Sequence, residues 1–139
     1  MPGGVVLVDT GPLVALLDPS DRARARCREC LDGLEQADLV TTEAVLTEAA
    51  YLLDFSVRAQ SALQQLLASG RPRVEPVLTS ERERIAELLG RYQTLPMDYA
   101  DATLVALAER LRTRRVFTLD RRAFSIYRLG RKSFELLPA

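Results

Sequence analysis

The chain has 139 residues, 47% of them hydrophobic and 27% charged, with a formal net charge of zero. That is enough chain for a single domain spanning 1–139 with its own core, and it is too apolar for disorder. No apolar stretch is long enough to cross a membrane, and there is no histidine and only one pair of cysteines, so a membrane-spanning helix, imidazole catalysis and a Cys/His zinc site are excluded.

The first apolar run, Val5–Val8, reads as a strand buried on both faces of a parallel sheet. Asp9 ends it and interrupts any apolar leader, so no signal peptide is expected and the cytoplasm is the expected location. Thr10-Gly11-Pro12 turns the chain into a short helix over about Leu13–Leu17. Pro19-Ser20-Asp21 then restarts it, with Ser20 or Asp21 as N-cap of a helix to about Leu34. Within that helix Cys27 and Cys30 share a stripe with Ala23, Leu31 and Leu34 and read as small core residues, not as a redox pair.

Leu39–Thr41 is a second short strand, and Thr42 caps a helix to about Leu53. Ser56 caps the next helix, which ends before Gly70. Val74–Val77 is a third strand, weakened by Pro76. Ser80 with Glu83 forms a capping box for a helix to about Tyr92. Pro96 breaks the chain, Asp98 caps a helix to about Leu111, Val116–Leu119 is the fourth strand, and Phe134–Leu137 offers a fifth. Short strands alternating with helices define an α/β fold with a mainly parallel sheet of four to five strands. Ligands of such sheets gather beyond the carboxyl ends of the strands.

Acids occupy that region. Asp9 follows the first strand and Asp120 the fourth. Glu48 has Ala44, Val45, Tyr51 and Leu52 one turn away and so falls within an inward stripe, where an unpartnered glutamate is rare. Asp101 has Leu104 and Val105 one turn ahead and Asp98 one turn behind on the same face. Each alone has a structural explanation as a cap, a turn residue or a dipole partner. Together they place carboxylates at one sheet edge, which demands a positive partner. With no histidine, the partner that suits oxygen ligands is a divalent metal ion, and the chemistry that follows is hydrolysis of a phosphodiester. Asp98, Thr118 and Thr10 stand around the site as supporting groups, Thr118 on the strand face that Asp120 continues.

Charge is unevenly distributed. Residues 1–54 carry four Arg against ten acids, and residues 110–139 carry nine Arg or Lys against two acids. An acidic pole and a basic pole suit a protein that holds cations and touches polyanions, and on charge alone the basic end reads equally well as a solvated surface. Arg121 and Arg122, beside Asp120, are the expected phosphate contacts.

The segments Val8-Asp9-Thr10-Gly11-Pro12-Leu13, Thr41 through Glu48, Pro96 through Ala102 and Thr118-Leu119-Asp120-Arg121-Arg122, in this order and spacing, resemble the PIN-domain ribonucleases. More narrowly they are similar to the VapC-type toxins of bacterial and archaeal toxin–antitoxin pairs. The family's four acids fall on Asp9, Glu48, Asp101 and Asp120; related sequences often carry histidine where Ala123 stands here. The resemblance implies a three-layer α/β/α sandwich. It also implies Mg²⁺ or Mn²⁺ held mainly by Asp9, Asp101 and Asp120, with Glu48 binding the ion or orienting a water. It implies RNA as substrate, a small antitoxin protein as silencing partner, and a homodimer. A haloacid-dehalogenase-like phosphatase would need a second aspartate where Gly11 stands, and a receiver domain a lysine near the last strand, where the chain's one lysine is Lys132. The remaining alternative is a non-catalytic RNA- or partner-binding protein of the same fold.

Overall fold

The computed structural model of the chain describes residues 3–139. Strand β1 (Val5–Val8) is followed by helix α1 (Thr10–Leu17) and helix α2 (Arg24–Asp32). Strand β2 (Asp38–Thr42), helix α3 (Glu43–Leu52), helix α4 (Val57–Ala68) and strand β3 (Arg73–Glu75) come next. A 3₁₀ turn at Thr79–Glu81 leads into α5 (Arg82–Arg91), then α6 (Tyr99–Leu111) and strand β4 (Arg115–Phe117). The chain closes with α7 (Arg121–Ile126), the hairpin β5 (Arg128–Leu129) and β6 (Lys132–Ser133), and strand β7 (Glu135–Leu137).

The main sheet has the order β3-β2-β1-β4-β7, and every pairing in it is parallel. Helices flank it, as a parallel sheet requires, because its strands are joined by crossovers that cover its faces. β1 lies at the centre with Val6, Leu7 and Val8 buried, and Leu7 pairs with Val40 on one side and Val116 on the other. Helix α6 packs over β1 and β2. It is buried at Ala100, at Ala102 and through Ala108, a helix apolar nearly all round with small alanines that let neighbours approach closely. Asp101 is the one carboxylate within this buried run.

Buried threonines stitch the carboxyl ends of the strands. Thr41 Oγ1 donates to the Val8 carbonyl at 2.8 Å, joining β2 to the last residue of β1. Thr42 and Thr103 share a hydrogen bond at 2.9 Å, joining β2 to α6. The Asp9 amide donates to the Phe117 carbonyl, and the Thr118 amide to the Leu137 carbonyl, so the ladder continues one residue past β1 and β4. The positions of the acids are therefore inherited from the most ordered part of the sheet.

Most helix boundaries follow the caps read in the sequence. Thr42, Ser56 and Asp98 accept from Val45, Ala59 and Asp101 amides at 3.4, 3.1 and 2.8 Å. Others move. Helix α1 begins at Thr10, not near Leu13, because a proline is tolerated in the first turn, where its missing N–H has no intrahelical role. Neither Ser20 nor Asp21 caps α2, which starts at Arg24. Asp18 accepts from the Ser20 amide and Asp21 from the Ala23 amide, so these carboxylates close turns before the helix. The third strand stops at Glu75, since Pro76 cannot extend the ladder. The capping contact before α5 is Glu81 accepting from the Leu78 amide at 2.9 Å, not a Ser80–Glu83 box. The fourth strand ends at Phe117, and the β5–β6 hairpin has no counterpart in the sequence reading.

Cys27 is fully buried and Cys30 partly so, both as free thiols. Burial pushes the Cys27 thiol up to about 11, the opposite of a reactive thiolate, and the pair packs as core.

Replacing Thr41 with valine keeps the volume but removes the bond to the Val8 carbonyl. We expect a loss of about 1 kcal/mol in urea denaturation with an unchanged m-value. An unaltered midpoint would mean that the β1–β2 seam does not depend on this bond.

Candidate active site

The carboxyl edge of the sheet opens into a pocket of about 440 Å³. Asp9, Glu48, Asp101 and Asp120 all line it, together with Asp98, Thr10, Gly11, Leu52 and Leu119. Four separate segments thus deliver the acids singled out in the sequence to one cavity, and no basic side chain is among its lining residues. Gly11 lets α1 lie against the wall opposite: a Cβ added there would stand 3.2 Å from Leu119 Cβ, tighter than ordinary contact.

Each acid is held differently. Asp9 sits at the N-cap of α1 yet makes no side-chain capping bond. Its Oδ2 instead accepts from Thr118 Oγ1 at 2.7 Å, a buried bond that fixes the carboxylate against β4. The same hydroxyl accepts from the Asp120 amide at 3.0 Å, so Thr118 sets the geometry of both strand-end aspartates. Asp120 does cap α7, with Oδ1 accepting from the Ala123 amide at 3.1 Å. Asp98 caps α6 through the amide of Asp101, and Asp101 Oδ2 accepts from Tyr127 Oη at 2.7 Å.

Glu48 corrects one part of the sequence reading. The buried face of α3 is Val45, Leu46 and Ala49, whereas Tyr51 is 72% and Leu52 46% exposed. Glu48 lies on the boundary between these faces, half-buried, and is one of the residues that line the pocket.

Burial dominates the electrostatics. It pushes the Asp9 carboxyl up, with the charges of Asp120 and Asp98 adding to the rise, against the hydrogen bond from Thr118. Burial likewise raises Glu48, with Asp98 and Asp9 contributing. It raises Asp101 to about 7, opposed by the Tyr127 hydroxyl and reinforced by Asp9, Asp98 and Asp120. Among the described residues these carboxylates have no ion-pair partner, and each makes the others harder to ionise. The Thr10 hydroxyl lies close enough to Glu48 to favour its charged form, but it falls outside hydrogen-bond geometry and is buried without a partner.

The donor set is hard oxygen throughout, crowded with negative charge and furnished with an orphaned hydroxyl, and it fits a hard divalent cation. Among the described residues, no three acidic or cysteine side chains are already grouped as ligands of one ion. The carboxylates are instead drawn to Thr118, Tyr127 and the helix amides.

Tyr127 is the supporting residue that the sequence did not disclose. It is fully buried, edge-on to Tyr92 and Phe124 at 5.0 and 5.1 Å, and donates to a carboxylate 26 positions away in the chain. The available signal was the spacing of Ala123 and Phe124 on α7 with Tyr127 just past its end, which marks a buried tyrosine whose hydroxyl needs an acceptor. Arg121 and Arg122 are exposed and do not line the pocket; Arg121 donates to the Pro138 carbonyl at 2.6 Å.

A parallel sheet with acids converging from β1, α3, α6 and the β4–α7 junction defines a class of protein, and the PIN domain model matches residues 6–130. The chain belongs to the PIN-domain family. It is 35% identical to Ribonuclease VapC26 of Mycobacterium tuberculosis over 136 residues, covering 96% of this chain and all of that protein. Among solved structures it is similar to Mycobacterium tuberculosis VapC20, a toxin that cleaves the sarcin–ricin loop. That match has a TM-score of 0.76 and 24% identity over 84% of this chain and 90% of the other. VapBC2 of Rickettsia felis, solved on a DNA fragment from its promoter, shares the fold with a TM-score of 0.64 and 15% identity over 95% and 98% of the two chains.

Two outcomes follow for the metal-free protein. The Asp101 carboxyl is raised from its ordinary 3.8 to about 7, so the folded state binds the proton more tightly than the unfolded state. Its contribution is fully present below about 3.8 and is lost as pH rises through about 7. Asp101→Asn, which keeps an acceptor for Tyr127 but no charge, should melt above the wild type in EDTA at pH values above about 7 and lose that advantage in acid. Equal melting at both extremes would remove the electrostatic strain. Tyr127→Phe deletes the bond that favours the charged form, so the carboxyl-carbon NMR titration of Asp101 should move to higher pH. A downward move would contradict the assignment.

Proposed function

We propose that this protein is a Mg²⁺- or Mn²⁺-dependent endoribonuclease that hydrolyses RNA phosphodiester bonds, and the toxin of a toxin–antitoxin pair. The observation that carries this reading is the meeting of Asp9, Glu48, Asp101 and Asp120 in one pocket without a basic lining residue. Family membership and the likeness to Ribonuclease VapC26 over nearly the whole chain support the same reading.

In this reading Asp9, Asp101 and Asp120 hold the ion, and Glu48, lining the same pocket, binds it or orients the attacking water. When bound, the divalent ion supplies Lewis acidity and lowers the pKa of water, which is the contribution a chain without histidine otherwise lacks. Thr118 holds Asp9 in one rotamer and Tyr127 holds Asp101, so the donors are positioned before substrate arrives. Asp98 anchors the start of α6 and keeps Asp101 at the pocket mouth. Thr10 supplies a further oxygen beside Glu48. Arg121 and Arg122, on the first turn of α7 next to Asp120, are the proposed contacts for a substrate phosphate.

A small antitoxin and a second copy of the chain are the proposed protein partners. Tyr51, Phe55 and Val57, 72%, 63% and 81% exposed, form an apolar stretch between α3 and α4 that runs up to the pocket through Leu52. Exposed apolar surface of this kind marks an interaction site. Among the described residues no helix is long and apolar enough to cross a membrane, and the proposed place of action is the cytoplasm.

Asp9→Asn and Asp101→Asn should each lower RNA cleavage by at least a factor on the order of 100 at saturating Mn²⁺ while far-UV circular dichroism stays that of the wild type. Near wild-type turnover by both folded variants would dismiss the four-acid site. Divalent ions should also stabilise the folded state, by about 2.7 kcal/mol at a hundredfold excess over Kd. The comparison is a thermal melt in EDTA against one in Mg²⁺ or Mn²⁺. The shift should vanish in Asp9→Asn, and a shift that persists there would place the ion elsewhere.

A further inference from the structure

Uncompensated positive charge collects at the opposite edge of the sheet. Arg112 and Thr113 follow α6, Arg114 precedes β4 and Arg115 opens it, and Arg131 stands in the turn of the β5–β6 hairpin with Lys132 beginning β6. Two shallow depressions of about 400 and 350 Å³ lie there, and Arg112 and Arg114 line both. Lys132 completes the first and Arg115 the second.

These cations have no acidic partner among the described residues, where the ion pairs fall on Arg73, Arg84 and Arg110. Glu109, the acid of the first depression, is already held by Arg84 through bonds of 3.0 and 2.8 Å. Only Glu135 remains to oppose the charge in the second. Arg114 donates to the Ser133 carbonyl at 3.1 Å and Arg115 to that of Gly3. A carbonyl steadies a guanidinium without cancelling its charge. Arg112 adds a separate sign. It closes α6 in the left-handed region, φ 55° and ψ 46°, where glycine is the ordinary residue. An arginine kept in a conformation that disfavours side chains points to use of its guanidinium.

We propose that this edge is a second RNA-binding surface, which holds the phosphate backbone of the substrate away from the bond that is cut. The inference rests on RNA being the substrate and extends it to a site outside the acidic pocket. Val5 begins β1 and Asp9 follows its end, so the two edges are separated by about 13 Å at 3.3 Å per residue. One nucleotide in the pocket does not reach the basic edge; a folded RNA or a longer strand does. Protein interfaces centre on buried apolar anchors, and none of the exposed large hydrophobic side chains lines either depression. Arginines flanking shallow hollows are suited to a phosphate chain.

The test is the triple variant Arg112→Ala, Arg114→Ala, Lys132→Ala. A long labelled stem-loop RNA of mixed sequence and a short single-stranded RNA are titrated in EDTA across a salt series. For the long RNA, Kd should rise at least about tenfold, and the slope of log Kd against log salt should fall by roughly 2, the counterion release of three phosphate contacts. Binding and cleavage of the short RNA should stay as in the wild type. Arg112→Gly alone, which relieves the left-handed residue, should melt at or above the wild type and lower the slope by roughly 0.7; this variant decides the matter if the triple one is unfolded. Unchanged slopes would overturn the surface, as would a loss confined to a duplex DNA control or to co-purification with a small partner protein. If the wild type cuts no RNA but the slope still falls, the surface stands and the ribonuclease reading fails. If it cuts RNA and the slope does not fall, the surface fails alone.

Discussion

Burial of carboxylates beside one another at the end of a parallel sheet is the constraint around which this protein is built. Asp9, Glu48 and Asp101 are each pushed toward the protonated form, first by burial and then by neighbouring acids. The fold tolerates this because helices begin there. Asp9, Asp98 and Asp120 stand at the N-caps of α1, α6 and α7, and Asp101 lies in the first turn of α6. Helix N-termini carry partial positive charge and free amides, which favour acids. The structural and functional explanations of these aspartates are therefore not rivals: caps gather acids at the carboxyl edge, and the charge they bring together there exceeds what capping needs.

The remaining strain is contained by neutral donors. Thr118 links Asp9 to Asp120 through one hydroxyl, and Tyr127 reaches Asp101 from an aromatic cluster with Tyr92 and Phe124. A lysine or arginine in their place would neutralise the pocket and compete with any ion. Neutral hydroxyls orient the carboxylates and leave the charge available. Stability is given up locally and recovered in the buried β1 and α6, the pattern of a site set for binding rather than for packing.

A net charge of zero conceals two poles. The sheet separates their most concentrated parts, with Asp9, Glu48, Asp101 and Asp120 beyond its carboxyl ends and Arg112, Arg114 and Arg115 toward its amino ends, because every strand of the main sheet points the same way. Parallel topology thus acts on charge as it does on ligand binding, sorting residues by whether they precede or follow a strand.

Much of this was legible in the sequence. The β-branched run at Val5–Val8, the caps at Thr42, Ser56 and Asp98, and the acids that follow strands each carry a local signal, since capping, strand burial and chain breaking depend on near neighbours. So the parallel sheet and the four acids could be named in advance. What lay beyond reach depends on contacts between distant segments. The stripe containing Glu48 looked inward until the sheet covered only Val45, Leu46 and Ala49 and left Tyr51 and Leu52 outside. Thr118 finds Asp9 across 109 positions and Tyr127 finds Asp101 across 26, and no periodicity records such pairs. Nor could counting charges tell which arginines are free, because Arg84 and Arg110 are neutralised by Glu109, Glu75 and Glu81 only once α5, α6 and β3 are packed together. Sequence determined which residues can meet solvent, cap a helix or end a strand, because those are local free-energy choices; tertiary structure alone decided which of them face one another, because that depends on how the layers pack.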